Sequence, residues 1–379
     1  MRLFLLIFFT IYGGVHVYAF LKVKSALAPG IASSLLVALF MLLMVAAPVL
    51  VRVLEREGYE PPARALAWAG YLWMAALFLF FCSSLAIDLL NLLPRIIGRL
   101  INMDLSPFMA RPKVAFFVSL FLSLAVCVYG YFEARDVRTE RLTIETTKLP
   151  AGVDRFRIVQ ISDVHLGLIV RSERLGRILD IVKSEKPDMF ISTGDLVDAQ
   201  INHLPGLAEI LHQVNPKYGK YAITGNHEYY AGLDRALAFT RDCGFTILRG
   251  SAVSSGVVNI AGVNDPAGVQ LKLEKPVSEK ALLSKLPRGK FTLLLKHQPR
   301  LDRDALGLFD LQLSGHTHKG QIWPFTYLSA LSYPMNAGRF DLANGALLYV
   351  SRGSGTWGPP IRFLSPPEVT VIELVRKRI

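Results

Sequence analysis

The strongest constraint in this sequence is a series of four long apolar runs in its first third. They cover approximately residues 3–21, 31–51, 65–90 and 114–132, and each reaches the ~17–25 residues that a helix needs to cross a bilayer. Charged residues bracket every run. Hydrophobic residues make up 52% of the 379-residue chain and charged residues only 19%, whereas soluble domains average about 25% charged residues. The pattern therefore predicts a domain of four transmembrane helices over residues 1–132.

The first run raises an alternative, because an N-terminal apolar segment can be a signal peptide that is later removed. Its apolar core is longer than the ~7–15 residues of such a peptide, and Lys22 and Lys24 stand where a cleavage site would need small residues. We therefore predict a retained helix in a multi-pass protein of the cell (inner) membrane. Basic residues are slightly more numerous on the side of both termini, seven against six, which predicts that the last two thirds of the chain face the cytoplasm.

Polar residues in and near these runs suggest three local features. Asp88 ends the third run and is interpreted as an interfacial group rather than an intramembrane relay. Residues 92–109 carry apolar side chains at helical spacing around Arg95 and Arg99, which predicts a short amphipathic helix on the membrane surface. His16, inside the first run, is expected to pack against another helix or to hydrogen-bond it.

The net charge of +12 is spread along the chain, with no Lys/Arg run longer than Arg376-Lys377-Arg378. Proteins that bind nucleic acid concentrate basic residues on one face or segment, so nucleic acid is not predicted as a partner. A lipid bilayer and a phosphorylated substrate both fit a diffuse positive charge. The three cysteines are too few for a disulfide scaffold and are expected to be free thiols. The oligomeric state stays open.

From residue 153 the sequence changes to short apolar runs that each stop at a polar cluster. Residues 133–152 are charged and are predicted to be a linker. Runs typical of buried strands follow at 156–161, 188–192, 221–224, 291–296 and 311–314. Helical patterns at 172–185, 233–243 and 279–286 alternate with them, which predicts a layered α/β domain over residues 153–379.

Candidate metal ligands follow these strands, at the positions where α/β folds place their ligands. They are Asp163, His165, Asp195, Asn226, His297, His316 and His318. Residues i and i+2 of an extended chain share a face, so Asp163 and His165 can reach a common centre. Carboxylates, an amide and imidazoles together suit two divalent ions such as Mn, Fe, Zn or Co, whereas Ca prefers oxygen alone.

The clusters occur in the order of the calcineurin-like metallophosphoesterases, which residues 153–379 resemble. The matching motifs are Asp163-x-His165, Gly194-Asp195-x-x-Asp198, Gly225-Asn226-His227-Glu228, His297 and Gly315-His316-x-His318. The segment 351–362 resembles the YkuE/YaeI-like branch, which includes membrane-associated phosphoesterases, and a related branch hydrolyses UDP-diacylglucosamine. The resemblance implies a four-layer α-β-β-α sandwich, preceded here by an all-α four-helix transmembrane region.

The resemblance also implies a role for each matching residue. Asp163, His165 and His318 would hold one metal ion, Asn226, His297 and His316 would hold the other, and Asp195 would bridge both. His227 would be the general acid near the leaving oxygen, oriented by Asp198. Position 199 is alanine, where the protein-phosphatase branch has arginine, which argues against phosphoprotein substrates.

Five further residues are candidates for contact with substrate: Glu228, Arg352, Arg362, Trp323 and Phe325. Glu228 is expected either to support a metal ligand without binding the ion or to contact substrate, and the arginines either meet a substrate phosphate or are solvated. Trp323 and Phe325 belong to an apolar loop that is either covered core or a lip that enters the membrane interface or holds an acyl chain. Two histidines outside the motifs, His203 and His212, are interpreted as surface groups.

These observations predict a membrane-anchored phosphoesterase that uses two divalent metal ions. Its substrate would be a phosphodiester, a pyrophosphate or a phosphomonoester, and the anchor favours a lipid-linked one. Two alternatives stay open. A membrane sensor or scaffold with an inactive domain would bind little metal, and a tethered nuclease would bind DNA with a strong dependence on salt.

Overall fold

The computed structural model of the chain describes residues 2–198 and 206–377. By its internal contacts the chain divides into two compact units. The first comprises residues 1–132 with 358–361, and the second comprises residues 133–357 with 362–379. We call the second unit the catalytic unit, because it contains all the candidate metal ligands.

Long helices make up the first unit. They are α1 (Arg2–Leu27), α2 (Ile31–Arg56), α3 (Glu60–Ile101) and α4 (Pro112–Glu133). Each is long and apolar enough to cross a membrane, and large apolar side chains such as Leu36, Leu42 and Phe121 are exposed along them. Apolar side chains that face outward from a helix bundle are stable in lipid and costly in water. The prediction of four long apolar helices, each able to cross a membrane, is therefore confirmed.

The predicted separate amphipathic helix over residues 92–109 is wrong. Helix α3 continues without interruption past Pro94 to Ile101, and only a short 3₁₀ turn, Ser106–Phe108, follows. A proline removes one hydrogen-bond donor and can kink a helix without ending it. The helix ends instead at Asn102, which adopts a left-handed conformation with φ 52°, as helix C-termini commonly do.

Polar contacts join α1 to α3 at two places. The Trp73 indole N–H donates a hydrogen bond of 2.9 Å to His16 Nε2, so the predicted interhelical role of His16 is confirmed. Nearer the other end of α1, the Asp88 carboxylate accepts a hydrogen bond of 2.7 Å from the Tyr18 hydroxyl and pairs with Lys22. Asp88 therefore has partners on α1, and its location at the membrane interface stays a prediction.

The catalytic unit is built on two six-stranded sheets. The strands are β1 (Arg138–Thr146), β2 (Arg155–Ile161), β3 (Met189–Ser192), β4 (Lys220–Ala222), β5 (Thr246–Ile247), β6 (Ser251–Ser254), β7 (Val258–Gly262), β8 (Phe291–Leu295), β9 (Leu311–Ser314), β10 (Gly338–Asp341), β11 (Leu347–Val350) and β12 (Glu368–Arg376). The first sheet has the order β1-β12-β2-β3-β4-β5 and the second β10-β11-β9-β8-β7-β6. Strands β2 to β5 are mutually parallel, as are β7, β8, β9 and β11.

Helices cover the outer faces of both sheets. The helices of the catalytic unit are α5 (Ser172–Ser184), α6 (Leu207–His212), α7 (Asn226–Tyr230), α8 (Leu233–Asp242), α9 (Pro266–Gln270), α10 (Glu279–Leu283) and α11 (Phe325–Ser332). Of these, α5 and α6 pack against the first sheet and α10 packs against the second. Alternation along each strand separates the layers, because successive side chains point to opposite faces. Ile158 of β2 packs in the core between the sheets, and Val159 packs against the buried face of α5. The predicted four-layer α-β-β-α sandwich is confirmed.

The predicted linker over residues 133–152 is wrong for most of its length. Residues 138–146 form β1, which pairs in parallel with β12 along all nine residues. The strand is charged on one face only. Leu142, Ile144 and Thr146 are buried in alternation with exposed residues, and this period of two identifies a half-buried edge strand. The dense charges on the exposed face hid that period in the sequence.

We predict that Leu142→Ala destabilises the catalytic unit by about 2 kcal/mol, because its side chain fills the core between the two sheets. The matched control is Thr143→Ala on the exposed face of the same strand, which should change stability by less than about 0.5 kcal/mol. Thermal unfolding of the detergent-solubilised chain measures both. Equal midpoints for the two variants would contradict the role of β1 in the core.

Candidate metal centre

The seven candidate ligands all follow the carboxyl ends of parallel strands. Asp163 and His165 follow β2, Asp195 follows β3, Asn226 follows β4, His297 follows β8, and His316 and His318 follow β9. Parallel strands deliver the residues after them to one edge of the sheet. The site therefore draws on both sheets of the sandwich, and all seven residues come from the segments that follow these strands, with Asn226 as the first residue of α7.

One group of donors consists of Asp163, His165 and His318. A ligand atom from each lies within 4.8 Å of the others. His318 Nε2 lies 3.4 Å from Asp163 Oδ1 and 3.0 Å from His165 Nε2. All three side chains are buried. These are the residues that the sequence predicted around a first metal ion.

A second group consists of Asp195, His297 and His316, again with ligand atoms within 4.8 Å of one another. His297 Nε2 lies 3.1 Å from Asp195 Oδ2 and 3.2 Å from His316 Nδ1. The same Oδ2 atom lies 3.9 Å from His165 Nε2 in the first group. Asp195 therefore stands between the two groups, at the position predicted for a bridging carboxylate.

The donor set fits divalent cations. His165 Nδ1 and Asn226 Oδ1 are buried and have no hydrogen-bond partner among the described residues, although buried polar atoms are rarely left unpaired. Burial lowers the pKa of His165 and His316 to about 3, so both rings are neutral and keep a lone pair. Burial and the nearby Asp195 carboxylate raise the pKa of Asp163 to about 6, and a cation beside Asp163 would lower that pKa.

Hydrogen bonds orient two of the imidazoles. The carbonyl oxygen of Thr193 accepts from His297 Nδ1 at 2.8 Å, so Nε2 is the nitrogen that faces Asp195. Burial alone would lower the pKa of His297, but the Asp195 carboxylate raises it well above its usual value, and a bound cation would take the place of the Nε2 proton. Tyr333 donates its hydroxyl proton to Gln298 Oε1 at 3.0 Å and lies 2.9 Å from His316 Nε2. Tyr333 must then accept from His316, which leaves the lone pair on Nδ1 toward His297. Partners of this kind fix the tautomer of a metal-binding histidine.

The backbone at the site is strained. Residues other than glycine seldom adopt positive φ. Five candidate ligands do so: Asp163 at 51°, His165 at 54°, Asp195 at 50°, His316 at 71° and His318 at 48°. Such strain clusters at functional sites. Hydrogen bonds between the loops maintain this backbone conformation. The amide of Asp163 donates to the carbonyl of Gly194 and the amide of His165 donates to the carbonyl of Asp195, both at 3.0 Å.

Glycines allow the loops to approach each other this closely. A β carbon at Gly225 would lie 2.1 Å from Asp195 Oδ1, and one at Gly315 would lie 2.2 Å from Asp163 Oδ2. Any side chain at either position would displace a candidate ligand. The glycines of the motifs are therefore required by contact with the carboxylates.

His227 and Asp198 form a separate pair beside the donor groups. His227 Nδ1 lies 2.9 Å from Asp198 Oδ1, and the backbone amide of His227 donates to Asp195 Oδ1 at 2.8 Å. Burial alone would lower the pKa of His227, but the carboxylates of Asp195 and Asp198 raise it to about 9. The ring is therefore protonated and next to the donor groups, as a general acid must be.

Glu228 does not have the position predicted for a substrate contact. Its buried carboxylate accepts hydrogen bonds from the backbone amides of Gly225 at 2.7 Å, Leu196 at 2.8 Å and Asp195 at 3.0 Å. These bonds tie the loop after β3 to the turn after β4. Glu228 therefore fixes Asp195 and Asn226 relative to each other, so of its two predicted roles the structure favours support of the ligands over contact with substrate.

The two arginines predicted to meet a phosphate are also engaged elsewhere. Arg362 is fully buried. All three of its guanidinium nitrogens lie within hydrogen-bonding distance of backbone carbonyls, and Nη2 lies 3.0 Å from His318 Nδ1. Arg352 pairs with Glu368 at 2.9 Å and with Glu140. Both predictions are corrected, because these partners occupy the groups that a phosphate would need.

Several aromatic residues of the catalytic unit are exposed. Trp323 and Phe325 are exposed, so covered core is excluded for both and the predicted lip remains. The ring centroids of Tyr230 and Trp357 lie 5.5 Å and 5.9 Å from that of His227, and both side chains are more than half exposed. The sequence offered no signal for Tyr230 or Tyr333, because neither belongs to a spaced motif, and Trp357 lies in the segment 351–362 but received no role of its own.

Four further residues lie outside the donor groups. His212 is exposed on α6, as expected for a surface group, and Cys82, Cys127 and Cys243 are free thiols. His203 and the alanine at position 199 lie outside the described residues.

A four-layer sandwich with aspartates, histidines and an asparagine at one edge defines a metal-dependent hydrolase of phosphate esters. The family model of the calcineurin-like phosphoesterases matches residues 156–320. An uncharacterized metallophosphoesterase of Aquifex aeolicus is 40% identical over 260 residues, which are 68% of this chain and 99% of that protein. The chain belongs to the calcineurin-like metallophosphoesterase family.

Two further relatives share more specific features. YkuE of Bacillus subtilis, described as an uncharacterized metallophosphoesterase, is 34% identical over 65% of this chain and 89% of its own length. A zebrafish (Danio rerio) protein, described as a transmembrane protein with metallophosphoesterase domain, is 33% identical over 68% of this chain and 62% of its own length. With the four apolar helices, this similarity indicates a membrane protein.

We predict that Tyr333→Phe weakens the binding of one of two Mn²⁺ ions by roughly 10–100-fold, because the ring remains but the acceptor for His316 Nε2–H is lost. Equilibrium dialysis on the purified chain measures the affinity directly. The matched control is Tyr327→Phe on the exposed side of α11, which should bind both ions as the parent does. Unchanged affinity in Tyr333→Phe would contradict its role in orienting His316.

Proposed function

We propose that this protein is an integral-membrane phosphoesterase that binds two divalent cations and hydrolyses a phosphodiester or pyrophosphate in a lipid-linked substrate. The observation that carries the proposal is the convergence of two donor groups on Asp195, with the His227–Asp198 pair beside them. The family makes phosphoester hydrolysis the expected reaction. The proposed ions are Mn, Fe, Zn or Co, which accept mixed oxygen and nitrogen ligands.

The donor groups define how the ions would be held. Asp163, His165 and His318 would hold one ion, and Asn226, His297 and His316 would hold the other, with Asp195 shared. Two such cations supply charge to the phosphoryl oxygens and activate water as the nucleophile. The protein adds burial, which excludes bulk water and strengthens every charge interaction at the site.

His227 supplies the proton that the reaction consumes. As the bond from phosphorus to the leaving oxygen breaks, that oxygen becomes an alkoxide and needs a proton. His227 is protonated, and its contact with Asp198 fixes the ring through Nδ1. Nε2 is then the nitrogen that donates to the leaving oxygen.

The lipid-linked substrate is supported by three observations. Four helices are apolar enough to span a membrane, where a single one would anchor a soluble-substrate enzyme. Trp323 and Phe325 expose apolar surface on the segment that follows His318. The excess of basic residues near both termini favours a catalytic unit on the cytoplasmic face of the cell membrane.

We predict that Asp195→Asn reduces hydrolysis of bis-p-nitrophenyl phosphate with Mn²⁺ to background, because the shared anionic donor is lost. His227→Ala should lower the rate roughly 10²–10⁴-fold for a diester with an alkyl leaving group and much less for the nitrophenyl ester, whose leaving group needs no proton. The matched controls are Asp234→Asn and His212→Ala, both exposed and outside the site. Activity that persists in Asp195→Asn would falsify the proposal.

We further predict that Trp323→Ala and Phe325→Ala weaken turnover of a lipid phosphodiester in mixed vesicles but leave that of bis-p-nitrophenyl phosphate nearly unchanged. Their exposed rings can contact the lipid part of a substrate and have no role for a soluble one. Rates on both substrates with the same preparations measure the difference. Equal losses on the two substrates would remove the lipid-linked substrate from the proposal.

A further inference from the structure

Helix α11 and its flanks expose a continuous set of large apolar side chains. We call this set the apolar rim: Trp323, Phe325, Tyr327, Leu328, Leu331 and Trp357. Each side chain is between 43% and 81% exposed, and α11 has no buried residue. Gln321 joins the two parts of the rim, since its amide donates to the Trp357 carbonyl and accepts from the Trp357 amide, both at 2.9 Å.

The polarity of α11 is reversed relative to a helix on a soluble protein, which turns its apolar face inward. The Thr326 hydroxyl donates to the Lys319 carbonyl at 2.9 Å, and the Ser329 hydroxyl donates to Asn336 Oδ1 at 3.1 Å. The small polar residues therefore fasten the helix to the catalytic unit. The leucines and aromatic residues point outward, an arrangement that is stable only against another apolar phase.

The structure assigns the apolar rim as a membrane-docking surface that enters the interface of the bilayer crossed by the chain's own helices. Helix α4 ends at Glu133 and β1 begins at Arg138, so only four residues separate a membrane-spanning helix from the first strand of the catalytic unit. Each residue spans at most ~3.6 Å, so the connection between α4 and β1 is short.

The composition of the rim matches the membrane interface. Tryptophan and tyrosine concentrate there, because each has an apolar ring and a polar group. The sequence has no charged residue between Lys319 and Arg339. Two cations lie at its borders: Lys319 precedes the rim, and the Arg300 guanidinium lies 5.4 Å from the Tyr333 ring centroid at the end of α11. Cations beside an apolar surface favour anionic headgroups.

The assignment rests partly on the membrane localisation in the proposed function, but its test needs no turnover. The full chain carries Cys82→Ala and Cys127→Ala, retains the buried Cys243, and receives one spin-labelled cysteine in place of Leu328 or Leu331. It is reconstituted in vesicles of phosphatidylethanolamine and phosphatidylglycerol. Accessibility of the label to oxygen and to a water-soluble nickel chelate is then measured. The matched control is a label in place of Glu173, whose side chain is exposed on the charged face of α5.

At positions 328 and 331 we expect a ratio of oxygen to chelate accessibility several-fold above that at position 173. A ratio equal to that at position 173 would place the rim in water and overturn the assignment. Low accessibility to both reagents would also overturn it, because it indicates cover by protein, such as a second copy of the chain. Repeating the measurement in Asp195→Asn separates the two proposals, since lipid contact should persist when hydrolysis is lost.

Discussion

Two buried carboxylates are the constraint on which the catalytic unit depends. Asp163 and Asp195 lie among imidazoles at the end of a closed β-sandwich, where an uncompensated charge costs several kcal/mol. His297 compensates part of the charge on Asp195 at 3.1 Å, and the backbone amide of His316 does so for Asp163 at 3.0 Å. Divalent cations would complete the compensation, so metal binding should contribute to folding stability as well as to chemistry.

The need to hold these two carboxylates close together also constrains the backbone conformation at the site. Five donor residues adopt positive φ, at a cost of order 1–3 kcal/mol each, and only a rigid surrounding can sustain this. The two sheets supply it, because their parallel strands fix where each loop begins. Glu228 then locks two of the loops together through three backbone amides. Glycine is needed at 225 and 315, where a β carbon would overlap a carboxylate. The strained backbone, the two glycines and Glu228 therefore act together to position the metal donors.

Much of this site could be predicted from the sequence, because each donor follows an apolar run that can only be a buried strand. The long apolar helices were predictable for the same reason, since their length and lack of charge leave few alternatives. Residues defined by tertiary partners were not predictable. Arg362 and Glu228 stand in motifs, which suggested contact with substrate, but both are buried against backbone groups from distant segments. Strand β1 was missed because its exposed face carries enough charge to resemble a linker.

Helix α11 connects the apolar rim to the candidate metal centre. Its exposed face consists of leucines and aromatic residues, and the chain leaves it at Tyr333, whose hydroxyl lies 2.9 Å from His316 Nε2. A shift of α11 would therefore move the acceptor that fixes the tautomer of a metal donor. If lipid contact stabilises the observed position of α11, it must also raise the affinity for the ion at His316. Because such coupling is reciprocal, a bound ion must then increase the affinity for lipid by the same factor as lipid contact increases the affinity for the ion. Such coupling would concentrate activity at the membrane surface, where a lipid-linked phosphate is found.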